Sequence, residues 1–376
     1  MRVLLDVSAV PDRPVGAGVY TIALASGLTT HDDIDLHLLA RQNDAERWAD
    51  IAPGATVHAR VPTRRPMRLV WEQTRAPGLT KDITPDVWHG PHYTLPLRVD
   101  ARTAVTVHDL TFFDHPEWHE RSKVAYFRRM IRAAVARADV VICVSEYTAS
   151  RLRAHCSPRG EIMVVPHGVD HTRFRLQPAA PADDLAQLAV HGVAPPYIAF
   201  AGTLEPRKDL PNLVHAFAIA ARGRPDLRLV IAGGDGWGAG AVRDAIAHSG
   251  VATQILRTGY LDNATIAALF RHAEIVAYPS LEEGFGLNAL EAMACGTPLV
   301  STKGSAIEEV VGDAGMLVPP HDPGSLASAL TQLLDDDELQ RRLRQAGPAR
   351  AAEFTWTRSV NAHVDAYRRA ATAVSI

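Results

Sequence analysis

Two adjacent cations and two spaced glutamates are the residues of this chain best placed to do chemistry. Arg207 and Lys208 sit in the turn Gly202-Thr203-Leu204-Glu205-Pro206-Arg207-Lys208-Asp209, after an apolar run that reads as a strand and before an amphipathic helix from about Leu210. At the carboxyl end of a strand such a pair can hold a diphosphate, Arg through its planar fork and Lys as a point charge, and so stabilise a departing nucleotide. Taken alone, the pair reads better as two solvated loop cations, and it is the placement after a strand that favours a functional role. The richer stretch runs from Glu282 through Glu283-Gly284-Phe285-Gly286-Leu287 to Glu291 and on to Pro298. Gly284 and Gly286 let backbone amides approach a ligand, and a helix starting near Leu287 points its N-terminal N–H groups toward it. Glu291, one turn into that helix, can accept from the vicinal hydroxyls of a ribose, while Glu283 in the loop can reach a sugar hydroxyl. The plain alternative is that Glu291 complements the helix dipole and Glu283 faces water.

The first half of the chain offers weaker signals. Gly16-Ala17-Gly18-Val19-Tyr20-Thr21 opens a helix after the first strand, but it fails as a GxGxxG fingerprint because Thr21 replaces the third glycine. Gly16 and Gly18 therefore read either as a ligand approach or as a tight turn. Gly233-Gly234-Asp235-Gly236-Trp237-Gly238 is the best signal for a nicotinamide-dependent oxidoreductase, and it too lacks a properly placed ribose-reading acid. His108, at the end of Thr106-Val107-His108, stands where an imidazole could meet a donor sugar or its phosphate, or else serve as a core histidine. His115 and His119 have helical spacing, yet they are not His-Glu-x-x-His and no third ligand suggests itself. Asp335-Asp336-Asp337 reads as a solvated helical face, so no metal site is expected.

These residues need strands and helices to aim them. At 376 residues, with 47% hydrophobic and 22% charged, the chain has the size for two cores and the composition of a globular protein. Short apolar runs alternating with helical stretches are the pattern of parallel sheets covered by helices, and the pattern occurs twice. Strands are expected at 3–7, 34–39, 87–89, 103–108, 140–144 and 162–165, then at 197–201, 227–232, 254–258, 275–278, 298–301 and 316–318. The implied domains are 1–180 and 196–355, joined by a Pro- and Ala-rich linker at 181–195 and followed by a helical segment at 356–376. In such doubly wound α/β sheets ligands sit beyond the carboxyl ends of the strands, where the residues above lie. A net charge of -3 gives no global field for nucleic acid. Three scattered cysteines without a CxxC pair point to a reducing compartment, and the opening apolar stretch is too short for a signal-peptide core, so a cytoplasmic protein is expected. The helical stretch 121–137 carries Arg121, Lys123, Arg128, Arg129, Arg132 and Arg137 opposite an apolar face, and reads as an ordinary outer face or as a dock for anionic lipid.

Glu283 and Glu291 with seven residues between them, the Gly-Phe-Gly loop, the Arg207-Lys208 turn and Ala294-Cys295-Gly296-Thr297-Pro298 resemble the family 4 retaining glycosyltransferases. Pro166-His167-Gly168-Val169-Asp170 and Glu309-Val310-Val311-Gly312-Asp313-Ala314-Gly315 extend the likeness over nearly the whole chain. The resemblance implies the glycosyltransferase B (GT-B) fold, two Rossmann-like domains facing each other across a cleft, with the C-terminal helix crossing back to the first. It implies that Arg207 and Lys208 bind the donor diphosphate, Glu291 the ribose and Glu283 the transferred sugar. His108, Arg207, Lys208 and Glu283 become the expected catalytic set. Gly16, Gly18, Gly202, Gly284, Phe285, Gly286, Leu287 and Glu291 complete the donor-binding one with Arg207, Lys208 and Glu283. One departure is Asp209, where the family usually has Asn; its carboxylate either weakens the positive field or caps the following helix. Trp88-His89-Gly90-Pro91-His92-Tyr93 with Leu95-Pro96, and His108-Asp109-Leu110, look like bacterial mannosyltransferases of surface-polysaccharide and glycolipid assembly. GDP-mannose is thus the first expected donor, with UDP-glucose, UDP-N-acetylglucosamine and dTDP-rhamnose as alternatives. No metal and no cofactor is expected, the acceptor being a saccharide or a lipid-linked one, with peripheral contact at the inner membrane face through the basic helix. A noncatalytic sugar-nucleotide sensor on the same fold is a further alternative, against which the retained glutamates and cations speak.

Overall fold

The structure is a computed structural model and describes residues 1–177 and 181–373. Residues 178–180, at the end of the first expected domain, and 374–376, at the end of the terminal segment, lie outside it. The chain divides into two compact units, one of Met1–Gly168 with the stretch from Trp356 onward, the other Val169–Thr355.

The first unit holds seven parallel strands: β1 (Arg2–Asp6), β2 (Asp35–Arg41), β3 (Thr56–Val61), β4 (Val87–Gly90), β5 (Arg102–Val107), β6 (Val140–Cys143) and β7 (Glu161–Val164). Their order is β3-β2-β1-β4-β5-β6-β7, which reverses direction between β1 and β4. Alternate residues of β1 serve two cores. Val3 and Leu5 pack with Tyr20, Leu24, Val360 and Val364, whereas Leu4 packs with Trp88, Ile131 and Leu152. A sheet buried on both faces has no solvent side to demand polar residues, and that is why the strands read as unbroken apolar runs. β3 was absent from the expected strands. It lies at the sheet edge, half-buried, and its Thr-Val-His-Ala-Arg-Val alternation is the signature of one covered face.

The helix Trp356–Thr372 belongs to this first unit. It buries Val360, Val364 and Tyr367 in the core, each burial contributing roughly 1.5–3 kcal/mol. It also threads a polar network into the sheet. Tyr20 Oη lies 2.8 Å from His363 Nε2 and 2.9 Å from Thr106 Oγ1, and His89 bridges Thr106 (2.8 Å) and Tyr367 Oη (2.7 Å). Burial holds His89 well below its ordinary pKa and His363 at about 4, so the network is neutral near pH 7.

The second unit repeats the plan with six parallel strands: β8 (Tyr197–Ala201), β9 (Arg228–Ala232), β10 (Ile255–Gly259), β11 (Ile275–Tyr278), β12 (Leu299–Thr302) and β13 (Met316–Val318). The order β10-β9-β8-β11-β12-β13 is the doubly wound 3-2-1-4-5-6 arrangement, reversing between β8 and β11. The division between units falls earlier than the linker composition suggests. Within the stretch expected as linker, the helix Pro181–Val190 is part of the second unit: Asp184 forms a two-pronged ion pair with Arg271 (2.7 and 2.8 Å), Gln187 donates to Thr265, and Leu188 is fully buried. Alanine and proline there reflect a helix start and a close-packed face rather than a free tether.

Candidate active site

β8 ends at Ala201 and β11 at Tyr278, on either side of the reversal in the second sheet, so the loops that follow them converge by topology alone. After β8 a short 3-10 turn, Pro206–Lys208, presents both cations, and Asp209 leaves it in a left-handed conformation (φ 47°). After β11 the loop carries Glu283 back toward them. Glu283 Oε1 lies 2.7 Å from an Arg207 amino nitrogen, accepts from Lys208 Nζ, and accepts from Tyr278 Oη at 3.1 Å. Lys208 also donates to Tyr278 Oη and sits over its ring, 4.5 Å from the centroid. Arg207 Nε is paired with Glu205 at 2.7 Å.

Lys208 and Glu283 are both buried, and their proton affinities follow from that. Burial alone would push the Glu283 carboxyl up, but Arg207 and Lys208 more than cancel it and hold it at about 2. Burial, helped by Arg207, lowers Lys208 to about 8. With Glu205, the cluster is two cations against two carboxylates. A carboxylate shared among three donors at one oxygen is a weak base; its other oxygen takes none of these three bonds and can accept from a hydroxyl. The sequence reading placed Glu283 at a sugar hydroxyl and the cations at phosphate; the structure adds that the three are one unit.

Gly286 caps the helix Leu287–Ala294 at φ 102°, a conformation that disfavours any side chain, and among the described residues no side chain caps the first turn of that helix. Asn288 ties this helix to β8 by donating to Ala201 O at 2.9 Å. Glu291, a turn further on, is only partly buried by area, yet its carboxyl is surrounded enough that desolvation raises it to about 8. Gly284 and Phe285 are buried, the ring of Phe285 packing edge-on against Phe354 at 5.8 Å, so Phe285 shapes the loop from the core side. Gly202 closes β8. The glycine cluster that suggested a dinucleotide loop has a packing explanation: a Cβ on Gly233 would stand 1.9 Å from Gly202 O, so the two strand ends touch backbone to backbone.

Tyr278, Asn288 and Glu205 escaped the sequence reading. Tyr278 closes an apolar strand and reads as core; only its position as the last strand residue, five before Glu283, could have marked it. Asp209 does not cap the helix Leu210–Ala220 with its side chain. It lies 3.6 Å from His321, and burial raises its carboxyl.

In the first unit Gly16 precedes the helix Ala17–Leu28, and a Cβ on Gly18 would stand 3.1 Å from the Pro14 side chain, tight enough to give Gly18 a packing role of its own. His108 is buried and its Nε2 lies 2.8 Å from Pro91 O. A nitrogen facing a carbonyl must carry the proton, so Nδ1 is the acceptor, suited to a hydroxyl rather than a phosphate oxygen. Burial keeps the ring neutral by lowering its pKa. His115 stacks on Trp118 and His119 on Phe112, each on its own aromatic surface. The helix Arg121–Val135 ends before Arg137. Arg128 donates to Phe112 O and Phe113 O, Arg132 lies over Phe113, and Lys123 pairs with Glu120; Arg121, Arg129, Arg132 and Arg137 are exposed.

Two family models match the chain, Glycosyltransferase Family 4 over residues 14–173 and Glycosyl transferases group 1 over residues 187–350. The O-antigen chain mannosyltransferase B of Escherichia coli is 30% identical over 77% of this chain and 75% of its own length. The chain is a family 4 glycosyltransferase. A D-inositol 3-phosphate glycosyltransferase of Segniliparus rotundus is 32% identical over 63% of this chain, and the matched region spans about half (53%) of that relative. Among solved structures, Anabaena HepE in complex with UDP-glucose superposes with a TM-score of 0.78 at 18% identity, over 97% of this chain and 98% of that one. The glycosyltransferase thus has the expected fold class, two parallel-sheet α/β domains of the GT-B type. Among its described residues no helix is long and apolar enough to cross a membrane.

Proposed function

We propose that this glycosyltransferase moves mannose from GDP-mannose to a saccharide or glycolipid acceptor in cell-surface polysaccharide or glycolipid synthesis, with retention at the anomeric carbon and without a metal. The observation that carries the donor-site reading is the Arg207, Lys208 and Glu283 cluster at the β8/β11 reversal; the match to an O-antigen mannosyltransferase supports the choice of sugar. In the reaction the bond from the sugar's anomeric carbon to the diphosphate oxygen breaks through an oxocarbenium-like transition state, a bond to the acceptor oxygen forms, and the acceptor's hydroxyl proton passes to the departing diphosphate. Negative charge grows on the diphosphate. Arg207, Lys208 and the uncapped N–H groups after Gly286 oppose it, Gly202, Gly284 and Leu287, beyond the ends of β8 and β11, give the donor close backbone approach, and Glu291 takes the ribose hydroxyls. Glu283, a poor base, orders the cations and a sugar hydroxyl, while His108 accepts from a hydroxyl through Nδ1.

Selective binding raises apparent stability by mass action, so thermal stabilisation by GDP, UDP, dTDP and their sugar conjugates, without added metal, tests the donor. Stabilisation by GDP and GDP-mannose is expected; a response confined to UDP-glucose would replace the donor. NMR of the product's anomeric configuration tests retention. Peripheral docking on anionic membranes through the basic stretch Arg121–Arg137 is part of the proposal, and absence of retention on anionic vesicles at low salt would remove it.

A further inference from the structure

The charged groups at the two sheet reversals are held to different degrees. At the first, between β1 and β4, Asp6, Arg65, Arg68 and Glu72 line a cavity of about 420 Å³, and among the described residues none of these four is ion-paired with another. Arg68 and Glu72 stand one turn apart on the helix Arg65–Thr74. At the second, Lys208 and Glu283 are bound to each other and both meet Tyr278, whose hydroxyl the donor reading leaves without a role.

Tyr278 is itself firmly placed. It ends β11 with 1% exposure, its ring stacks on Phe200 of β8 at 5.8 Å between centroids, and its carbonyl accepts from Ser301 Oγ at 2.6 Å. Its hydroxyl lies between Lys208 Nζ and Glu283 Oε1. An ammonium has three donors and no acceptor, so of these two partners only the carboxylate can take the hydroxyl's proton, and the oxygen lone pair faces the ammonium. Burial holds the phenol well above its ordinary pKa, which keeps that proton in place. Lys208 gives one N–H to Tyr278 and one to Glu283. With two of its three N–H directions fixed, tetrahedral geometry fixes the third, for which the described residues supply no hydrogen-bond acceptor. A Lys208–Glu283 pair alone would leave the ammonium free to turn about its last carbon–nitrogen bond. The carboxylate is held in the same way: Oε1 takes Arg207, Lys208 and Tyr278 together, and Oε2 stays open.

We propose that Tyr278 is a positioning residue for the transfer: its hydroxyl fixes Lys208 and Glu283 relative to each other, so that the third ammonium N–H is aimed at the donor diphosphate and Oε2 at the sugar. This rests on the donor-site reading and adds the residue that sets its geometry. Packing asks only for the ring. Phenylalanine would fill the same space against Phe200 without a buried hydroxyl to satisfy, and burying a hydroxyl carries a cost unless its hydrogen bonds are made. Donors held in place before the substrate arrives need no reorganisation when charge develops on the leaving group, which is where electrostatic groups gain their effect.

The chain has four lysines, Lys81, Lys123, Lys208 and Lys303, so carbon-13-labelled lysine gives four side-chain NMR signals, and the one missing from Lys208→Arg belongs to Lys208. Its pH titration in the full chain reads the hydroxyl directly, with no substrate needed. Removing an acceptor from the charged form lowers a lysine's pKa. Tyr278→Phe is therefore expected to move the Lys208 titration from about 8 down by about one unit, while the other three lysines stay put and report a folded variant. A Lys208 titration that stays where it was, or moves up, would overturn the proposal. The second measurement is calorimetric titration of wild type, Tyr278→Phe, Lys208→Ala and the double variant with GDP and with UDP. For the nucleotide that binds, Tyr278→Phe is expected to weaken affinity about tenfold and to add nothing on top of Lys208→Ala, since a residue acting through another has no effect once that one is gone. Additive losses would reduce Tyr278 to packing, and undiminished binding by Tyr278→Phe would end its role outright. Undiminished binding by Lys208→Ala, or no binding of either nucleotide by the wild type, is a failure of the donor reading instead, and it takes the role of the third N–H with it.

Discussion

The two sheets reverse at corresponding places, and the chemistry at the two reversals is opposite in kind. In the second unit Arg207 and Lys208 touch a carboxylate directly; burial shifts Lys208 down, and the two cations hold Glu283 down against its burial. In the first, guanidinium and carboxyl groups share a cavity without touching, and beside them stand neutral buried histidines, His89, His92 and His108. The shared topology fixes where loops converge; the residues after each strand decide whether the place holds a pre-paired electrostatic cluster or an open one. A pre-paired cluster still carries a desolvation cost, but each charge has a partner that offsets part of it, so the cluster can stay charged and ordered without a ligand.

The sharpest way to break the comparison is to remove a cation from the paired side. Lys208→Ala or Arg207→Ala should lower kcat by about 10²-fold or more, the usual loss for a preorganised electrostatic group; a steady-state assay showing an unchanged rate would refute the assignment. A smaller effect is expected from Glu291→Ala, with donor KM rising roughly tenfold and kcat little changed, as for a contact kept equally in ground and transition states. The pH profile discriminates further. Lys208 is charged below about 8, so kcat/KM should fall as pH rises through that value, earlier than an ordinary lysine would allow, and Lys208→Arg should move the fall upward. For stability the sign is reversed at Glu283. Its folded value of about 2 against 4.5 means that stability present above pH 4.5 is lost as pH falls toward 2. Chemical denaturation across that range should show a shallower decline in Glu283→Gln than in the wild type. The smallest change belongs to Asp209→Asn, which removes a half-buried carboxyl beside the cations and should alter kcat/KM by only a few-fold, upward; a large drop would mean that Asp209 contacts the substrate.

Much of this was legible in the sequence because it is written locally. Twelve of the strands appear as apolar runs bounded by turn residues, since sheets covered on both faces leave no polar alternation to confuse the reading. The cations and glutamates were marked by sitting next to strand ends. What the sequence hid is long-range. Nothing local says that Glu283 lies against Lys208, 75 positions earlier, or that Tyr278 turns its hydroxyl into the same cluster. Arg68 and Glu72 passed unnoticed because they lie on a helix of mixed polarity, and only the folding of β1 and β4 side by side makes their helix a cavity wall. The segment 181–195 was legible as a linker around one short helical stretch, but not as part of the second unit: alanine-rich close packing and an alanine-rich linker look alike until the ion pair of Asp184 to Arg271 is seen.

The placement of the helix Trp356–Thr372 bears on how this molecule is made. The first unit's sheet is complete by Val164, yet the surface that receives Val360, Val364 and Tyr367, and the His89 ring that meets the Tyr367 hydroxyl, stay uncovered until that helix emerges. A ribosome therefore delivers the entire second unit in between. The first-translated half is the last to finish, and a nascent chain released near Thr355 would carry one closed domain and one with an open apolar face, a natural substrate for chaperones and proteases.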